Sequence, residues 1–122
     1  MNDITIRPAV WNDRRGIADL IAAMGSHEDV LLAIDPLQEF GNILGLPKAR
    51  ALVAEQEGRI VGYAELQARP SSLHDEVEGW LAALAVAPEL RQAGTGSRLM
   101  AVVEEEARLL GCDEIVLESS TW

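Results

Sequence analysis

The chain opens with a period of two. Ile4, Ile6, Pro8 and Val10 alternate with Thr5, Arg7 and Ala9, which predicts a strand with one buried face. Pro8 places that strand at a sheet edge or near its own end. The period then lengthens. Asn12 reads as a helix N-cap, Ile17, Leu20, Ile21 and Met24 recur at helical spacing, and Gly25 stops the run. Residues 26–34 carry no clear period. Asp35 followed by Pro36 starts a second short helix over 36–44, with Leu37, Phe40 and Leu44 on one face and Gly45 after them. Residues 51–55 and 60–68 are strand-like and flank a hairpin turn of Gln56, Glu57, Gly58 and Arg59. A polar loop runs from Pro70 through Asp75, Glu76 and Glu78. Residues 80–86 form an almost unbroken apolar run, which suits a central strand covered on both faces. Gly96, Leu99, Met100, Val103, Ala107 and Leu110 then make one helical stripe, opposite Arg98, Glu105 and Arg108, and Gly111 caps the helix. Residues 115–117 give a last strand. The order β-α-α-β-β-β-α-β predicts a mixed α/β fold in one domain, residues 1–122.

Composition narrows the functional classes. A chain of 122 residues with 48% hydrophobic and 25% charged residues has enough apolar material for one core. Acidic residues outnumber basic ones 20 to 10, for a net charge of −10, which speaks against a nucleic-acid surface and against docking on anionic lipid. The apolar run at 80–86 is far too short to span a bilayer, and the start of the chain does not read as a signal peptide. Cys112 is the sole cysteine, which excludes an internal disulfide framework and a cysteine zinc site and suits a reducing, cytoplasmic compartment. It reads as a small strand-edge hydrophobe rather than a nucleophile.

The stretch that carries chemistry is Val86-Ala87-Pro88-Glu89-Leu90-Arg91-Gln92-Ala93-Gly94-Thr95-Gly96. A buried strand ends at Val86, Pro88 breaks the ladder, and two glycines lead into a long amphipathic helix. Glycines let a ligand approach the backbone closely, and the first amides of a helix have no internal partners, so they can hold a phosphate. Arg91, with Thr95 or Ser97, offers further donors. A glycine-rich turn without a ligand is the bland alternative. A dinucleotide fingerprint fits poorly, because its third glycine would fall at Leu99 and several residues separate strand from glycines.

The full spacing, Val86-x-Pro88-x-x-Arg91-x-x-Gly94-x-Gly96, resembles the acyl-CoA-binding motif of the GNAT superfamily of N-acetyltransferases. Ile4-Thr5-Ile6-Arg7-Pro8-Ala9 is similar to that family's first strand. Val53-Ala54-Glu55 and Ile60-Val61-Gly62-Tyr63-Ala64 are similar to its second and third, and Ile115-Val116-Leu117-Glu118-Ser119-Ser120 to its fifth. The resemblance implies a mostly antiparallel central sheet flanked by helices. It implies acetyl-CoA as acyl donor, with its pantetheine paired to the backbone at Leu84, Ala85 and Val86. Its pyrophosphate would rest on the amides of Arg91, Gln92, Ala93, Gly94, Thr95, Gly96 and Ser97. A primary amine, on a small molecule or a peptide, would attack the thioester directly, with a strand amide stabilising the oxyanion. The motif fits a non-catalytic acyl-CoA-binding or subunit-interaction module equally well.

The chain also departs from the family pattern. The residues matching the usual strand carboxylate, 80–82, are not acidic, and Glu78 is the nearest alternative base, ahead of Glu118 and Glu65. Tyr63 is the only tyrosine and reads as a packed wall residue, so the usual thiolate-protonating tyrosine has no counterpart. His27 and His74 read as surface residues. Glu28, Asp29, Asp75 and Glu76 hint at a cationic acceptor. The family's C-terminal helix and last two strands have no counterpart before Trp122, and the expectation is that a second copy or a C-terminal tail completes the sheet.

Overall fold

The computed structural model describes residues 3–24, 31–32, 40–41, 43–71 and 76–117. In chain order come β1 (Thr5–Pro8), α1 (Arg14–Met24), β2 (Leu31–Leu32), β3 (Ala49–Gln56), β4 (Arg59–Pro70), β5 (Val77–Val86), α2 (Thr95–Leu109) and β6 (Glu114–Leu117). Short 3-10 turns occupy Trp11–Asp13 and Pro88–Ala93. The strands form one sheet in the order β1-β3-β4-β5-β2, with β6 also beside β5. All pairings are antiparallel except β5 with β6, which is parallel.

Alternation of side chains places two cores on opposite faces of the sheet. On one face Ile17, Leu20 and Met24 of α1, with Phe40 and Ile43, pack on Val53, Val61, Tyr63, Ala83 and Ala85. On the other, Leu99, Val103 and Ala107 of α2 pack on Leu52, Ala64, Leu66, Leu81, Leu84 and Val86. The result is three layers, with β5 buried on both faces from Leu81 to Val86, as its apolar run anticipates. The stripe read from Leu99 to Ala107 is the buried face of α2.

Several boundaries differ from the sequence reading, each for a physical reason. The helical entry is set by Asp13 rather than Asn12: the Asp13 carboxylate accepts the Val10 N–H at 2.8 Å, which leaves Asn12 inside the 3-10 turn. Asp13 also receives both terminal nitrogens of Arg7, at 2.8 and 2.9 Å, while Arg7 Nε donates to Glu55 at 2.9 Å. That clamp ties β1, the entry to α1 and β3 together. β4 and β5 reach into the expected polar loop, to Pro70 and back to Val77, because Arg69 of β4 and Glu78 of β5 face each other as an ion pair at 2.7 Å. Pro88–Ala93, read as a loop, is a 3-10 turn. β2 adds a short strand to the expected order. Phe40, Gly41, Ile43 and Leu44 are helical, and the start proposed at Asp35 and Pro36 lies outside the described residues. The hairpin turn sits where expected: Glu57 and Gly58 both have positive φ, 51° and 79°, the pattern of a two-residue turn that matches strand twist.

Candidate functional site

The glycine-rich segment and the end of β5 meet at one place. The Ala87 N–H donates to the Val61 carbonyl at 2.8 Å, so Ala87 and Ala85 direct their polar groups toward β4. Leu84 and Val86 therefore direct theirs toward the opposite edge. That edge is divided among partners. β6 takes Glu78 to Leu81, β2 takes Ala83 and Leu84, and no described strand pairs with Ala85 or Val86 there. The change of partner coincides with an irregularity: Glu65 pairs with Ala83 and Leu66 with Leu81, leaving Ala82 as a bulge that bends β5.

Beyond Val86 the chain makes its 3-10 turn and enters α2 through Gly94, whose φ of 84° favours a residue without Cβ. A Cβ built on Gly94 meets nothing within 4 Å, and one on Gly96 meets only Val86 Cγ2 at 3.8 Å. Packing within the chain does not demand glycine at 96, whereas a ligand lying against the backbone would. No side chain among the described residues caps α2, and its first turn contains no acidic residue. Its leading amides thus lack a carboxylate or hydroxyl partner among the described residues, and the helix dipole adds to their positive potential. Thr95 is fully buried, and its hydroxyl has no hydrogen-bond partner among the described residues. Arg98, one turn in, donates to the Ile4 carbonyl at 2.8 Å and borders a cavity of about 290 Å³ beside Leu90 and Ala93. The sequence reading placed Arg98 only opposite the apolar stripe and gave it no role. Its place in the first turn of the glycine-led helix was the available signal.

The other candidates scatter. Ala93, Gly94, Thr95, Gly96 and Ser97 are consecutive on this turn, and Arg91 and Gln92 contribute described backbone only. Glu78 is held by Arg69 and lies six residues from Leu84, roughly 20 Å along an extended strand. It is therefore remote from the open edge. Tyr63 is buried and donates to Glu65 Oε1 at 2.8 Å. Burial, and next the charge of Glu65, push its phenol far above the ordinary range, which suits a fixed donor and not an acid that gives up its proton. Cys112 packs against the α2 core, and burial raises its thiol, in keeping with the inert reading. His27, His74, Glu28, Asp29, Asp75 and Glu118 lie outside the described residues; Glu76 is exposed. A second cavity, about 750 Å³, lies by α1 and Pro88, but Arg7, Asp13, Glu55, Arg59 and Glu89 on its wall are already paired with one another. No helix among the described residues is long and apolar enough to cross a membrane.

An amino-acid acetyltransferase of Pseudomonas syringae pv. syringae is 33% identical over 113 residues, which is 87% of this chain but 22% of the relative. The chain thus spans about a fifth of the length of the curated relatives it matches. Among solved structures, an aminoglycoside N-acetyltransferase in complex with CoA superposes with a TM-score of 0.80 at 20% identity, covering 98% of this chain and 79% of that one. A GNAT family acetyltransferase of Staphylococcus aureus gives 0.76 at 22% identity, covering 98% and 88%. These likenesses show the shared fold. The model of the acetyltransferase (GNAT) family matches residues 17–122, and the chain belongs to that family, whose acyl donor is acetyl-CoA.

Proposed function

We propose that this chain holds acetyl-CoA along the Val86 edge of β5 and the first turn of α2, and that it transfers the acetyl group to the primary amine of an amino acid. The observation that carries the reading is the uncapped start of α2, where the missing Cβ atoms of Gly94 and Gly96 leave space outside the helix. The amides of Thr95, Gly96 and Ser97 receive the pyrophosphate. The backbone of Val86 pairs with the pantetheine, and Leu84, already paired with Leu31, is excluded while β2 is in place. An unprotonated amine attacks the thioester carbonyl. The C–N bond forms, the C–S bond breaks, the nitrogen loses a proton and the departing thiolate gains one. The amino-acid acceptor is supported by the name of the curated relatives.

Gly96→Glu tests the donor site. The added side chain has room within the fold, and an acid in the first turn of a helix is favourable without ligand, so the variant should fold. It places bulk and negative charge where the pyrophosphate rests. Calorimetry should show loss of acetyl-CoA binding, and unchanged affinity in the folded variant would overturn the assignment. Thiol release from acetyl-CoA with a panel of amino acids separates an enzyme from a module that only binds the donor.

A further inference from the structure

β5 runs unbroken from Val77 to Val86, but its outer edge is shared. β6 lies parallel to it as far as Leu81, the bulge at Ala82 follows, and β2 lies antiparallel to it at Ala83 and Leu84. Alternation along β5 sends the Leu84 N–H and carbonyl to this edge and those of Ala83 toward β4. Leu31 and Leu84 therefore form a hydrogen-bonded pair, while Leu32 and Ala83 face each other without interstrand bonds. β2 has only two residues, where an ordinary strand has about five or six. It pairs with no other strand among the described residues. Val86 is the next position whose polar groups face this edge. It lies two residues on, about 7 Å away, and has no strand partner there among the described residues.

We infer that β2 is an autoinhibitory strap: it fills the part of the donor edge that the far half of the pantetheine needs, and acetyl-CoA takes full hold only once β2 has left. The inference rests on the donor reading above. A pantetheine arm carries two amides before its sulfur. With the pyrophosphate on the first turn of α2, an arm extended along the edge meets Val86 first and Leu84 next. Neighbouring strands lie about 4.8 Å apart, so the slot beside Leu84 admits one chain only. The Leu84 N–H and carbonyl are engaged by Leu31 while β2 is there. β2 and the arm offer Leu84 the same groups, an amide N–H and a carbonyl, so the exchange at that position is close to even. The pyrophosphate tips it, because the uncapped helix start receives that group and β2 has no equivalent. A pantetheine fragment without phosphates lacks this advantage, so the strap favours the intact donor while lowering its apparent affinity.

The test locks the strap in one variant and loosens it in another, both in the full chain. The locked variant carries Leu32→Cys and Ala83→Cys, with Cys112→Ser so that the one native thiol does not compete. The Cα atoms of a pair without interstrand bonds lie about 4.5 Å apart, within disulfide reach. Calorimetry compares acetyl-CoA with 3′-phosphoadenosine 5′-diphosphate, which keeps the pyrophosphate and lacks the arm. The oxidised variant should bind acetyl-CoA about tenfold or more weakly than the same protein after reduction, with the affinity of the armless nucleotide unchanged. Leu31→Pro removes the N–H that the Leu84 carbonyl accepts, and it should tighten acetyl-CoA about threefold or more, again without effect on the nucleotide. If the reduced double-cysteine variant itself binds acetyl-CoA poorly, Leu31→Pro alone decides. If the cysteines do not join under oxidant, if oxidised and reduced protein bind acetyl-CoA alike, or if Leu31→Pro leaves its affinity unchanged, the strap is wrong and the donor reading stands. If the unaltered protein binds neither acetyl-CoA nor the nucleotide, both fall.

Discussion

Replacing Asp13 by Asn should cost this fold about 2 kcal/mol at neutral pH, and the loss should vanish in acid. The Asp13 carboxylate takes two hydrogen bonds from Arg7 and one from the Val10 amide, and its side chain is only 9% exposed. Asn keeps one acceptor oxygen, removes the charge and turns an amide N–H₂ toward Arg7, itself only donors. A hydrogen bond to a charged group contributes about 1.5–3 kcal/mol, and removal of one partner strands the other. Arg7 keeps Glu55 and some solvent, which holds the figure near the lower half of that range. The pH arm isolates the charge. Hydrogen bonding by Arg7 holds the Asp13 carboxyl below its ordinary value of 3.8. A carboxyl depressed in the folded state stabilises fully above its unfolded value and loses that contribution as pH falls through the folded one. Urea unfolding should therefore show a midpoint roughly 1 M lower for Asp13→Asn at pH 7, with equal slopes, and a gap that starts to narrow near pH 4 and closes as pH falls through the lower folded value. A gap that persists unchanged into acid, or none at pH 7, would refute the role given to this clamp.

Two further perturbations address the turn and the cysteine. Glu57→Asn should raise stability by about 0.5–1 kcal/mol in the same urea assay, because Glu57 sits at φ 51°, where Asn is tolerated and Glu is strained. Cys112 should react with a thiol reagent at neutral pH more slowly than free cysteine, since burial first and Asp113 second raise its thiol, and urea should restore the ordinary rate.

Most of the frame was legible because it rests on short-range rules. Period-two alternation located β1, two strand-like runs about a turn located β3 and β4, the unbroken run located β5, and the stripe from Leu99 to Ala107 gave the buried face of α2. The glycine spacing located the helix start. What sequence concealed depends on distant partners. Glu78 looked free until Arg69 faced it across the strands, an ion pair that also lengthened both strands. Asp13 outranked Asn12 as the helix-entry residue because Arg7, six residues earlier, reaches it. The polar file on β4 and β5 was half visible. Glu65 and Gln67 share the parity of Tyr63, so an acid stood on an inward face of a strand, but Trp80 opposite Gln67 needed the register. β2 left no readable pattern, because Leu31 and Leu32 are too few to show a period.

Hydrogen exchange on the full chain with and without saturating acetyl-CoA tests the central claim most directly. The leading amides of α2 have no intrahelical acceptor and exchange readily in the free chain. Donor binding should slow exchange at Thr95, Gly96 and Ser97 and at Val86 on the open edge of β5, with little change along β1 and β3. Unchanged exchange at those four positions under saturating acetyl-CoA, or protection confined to the charged cavity beside α1, would contradict the account.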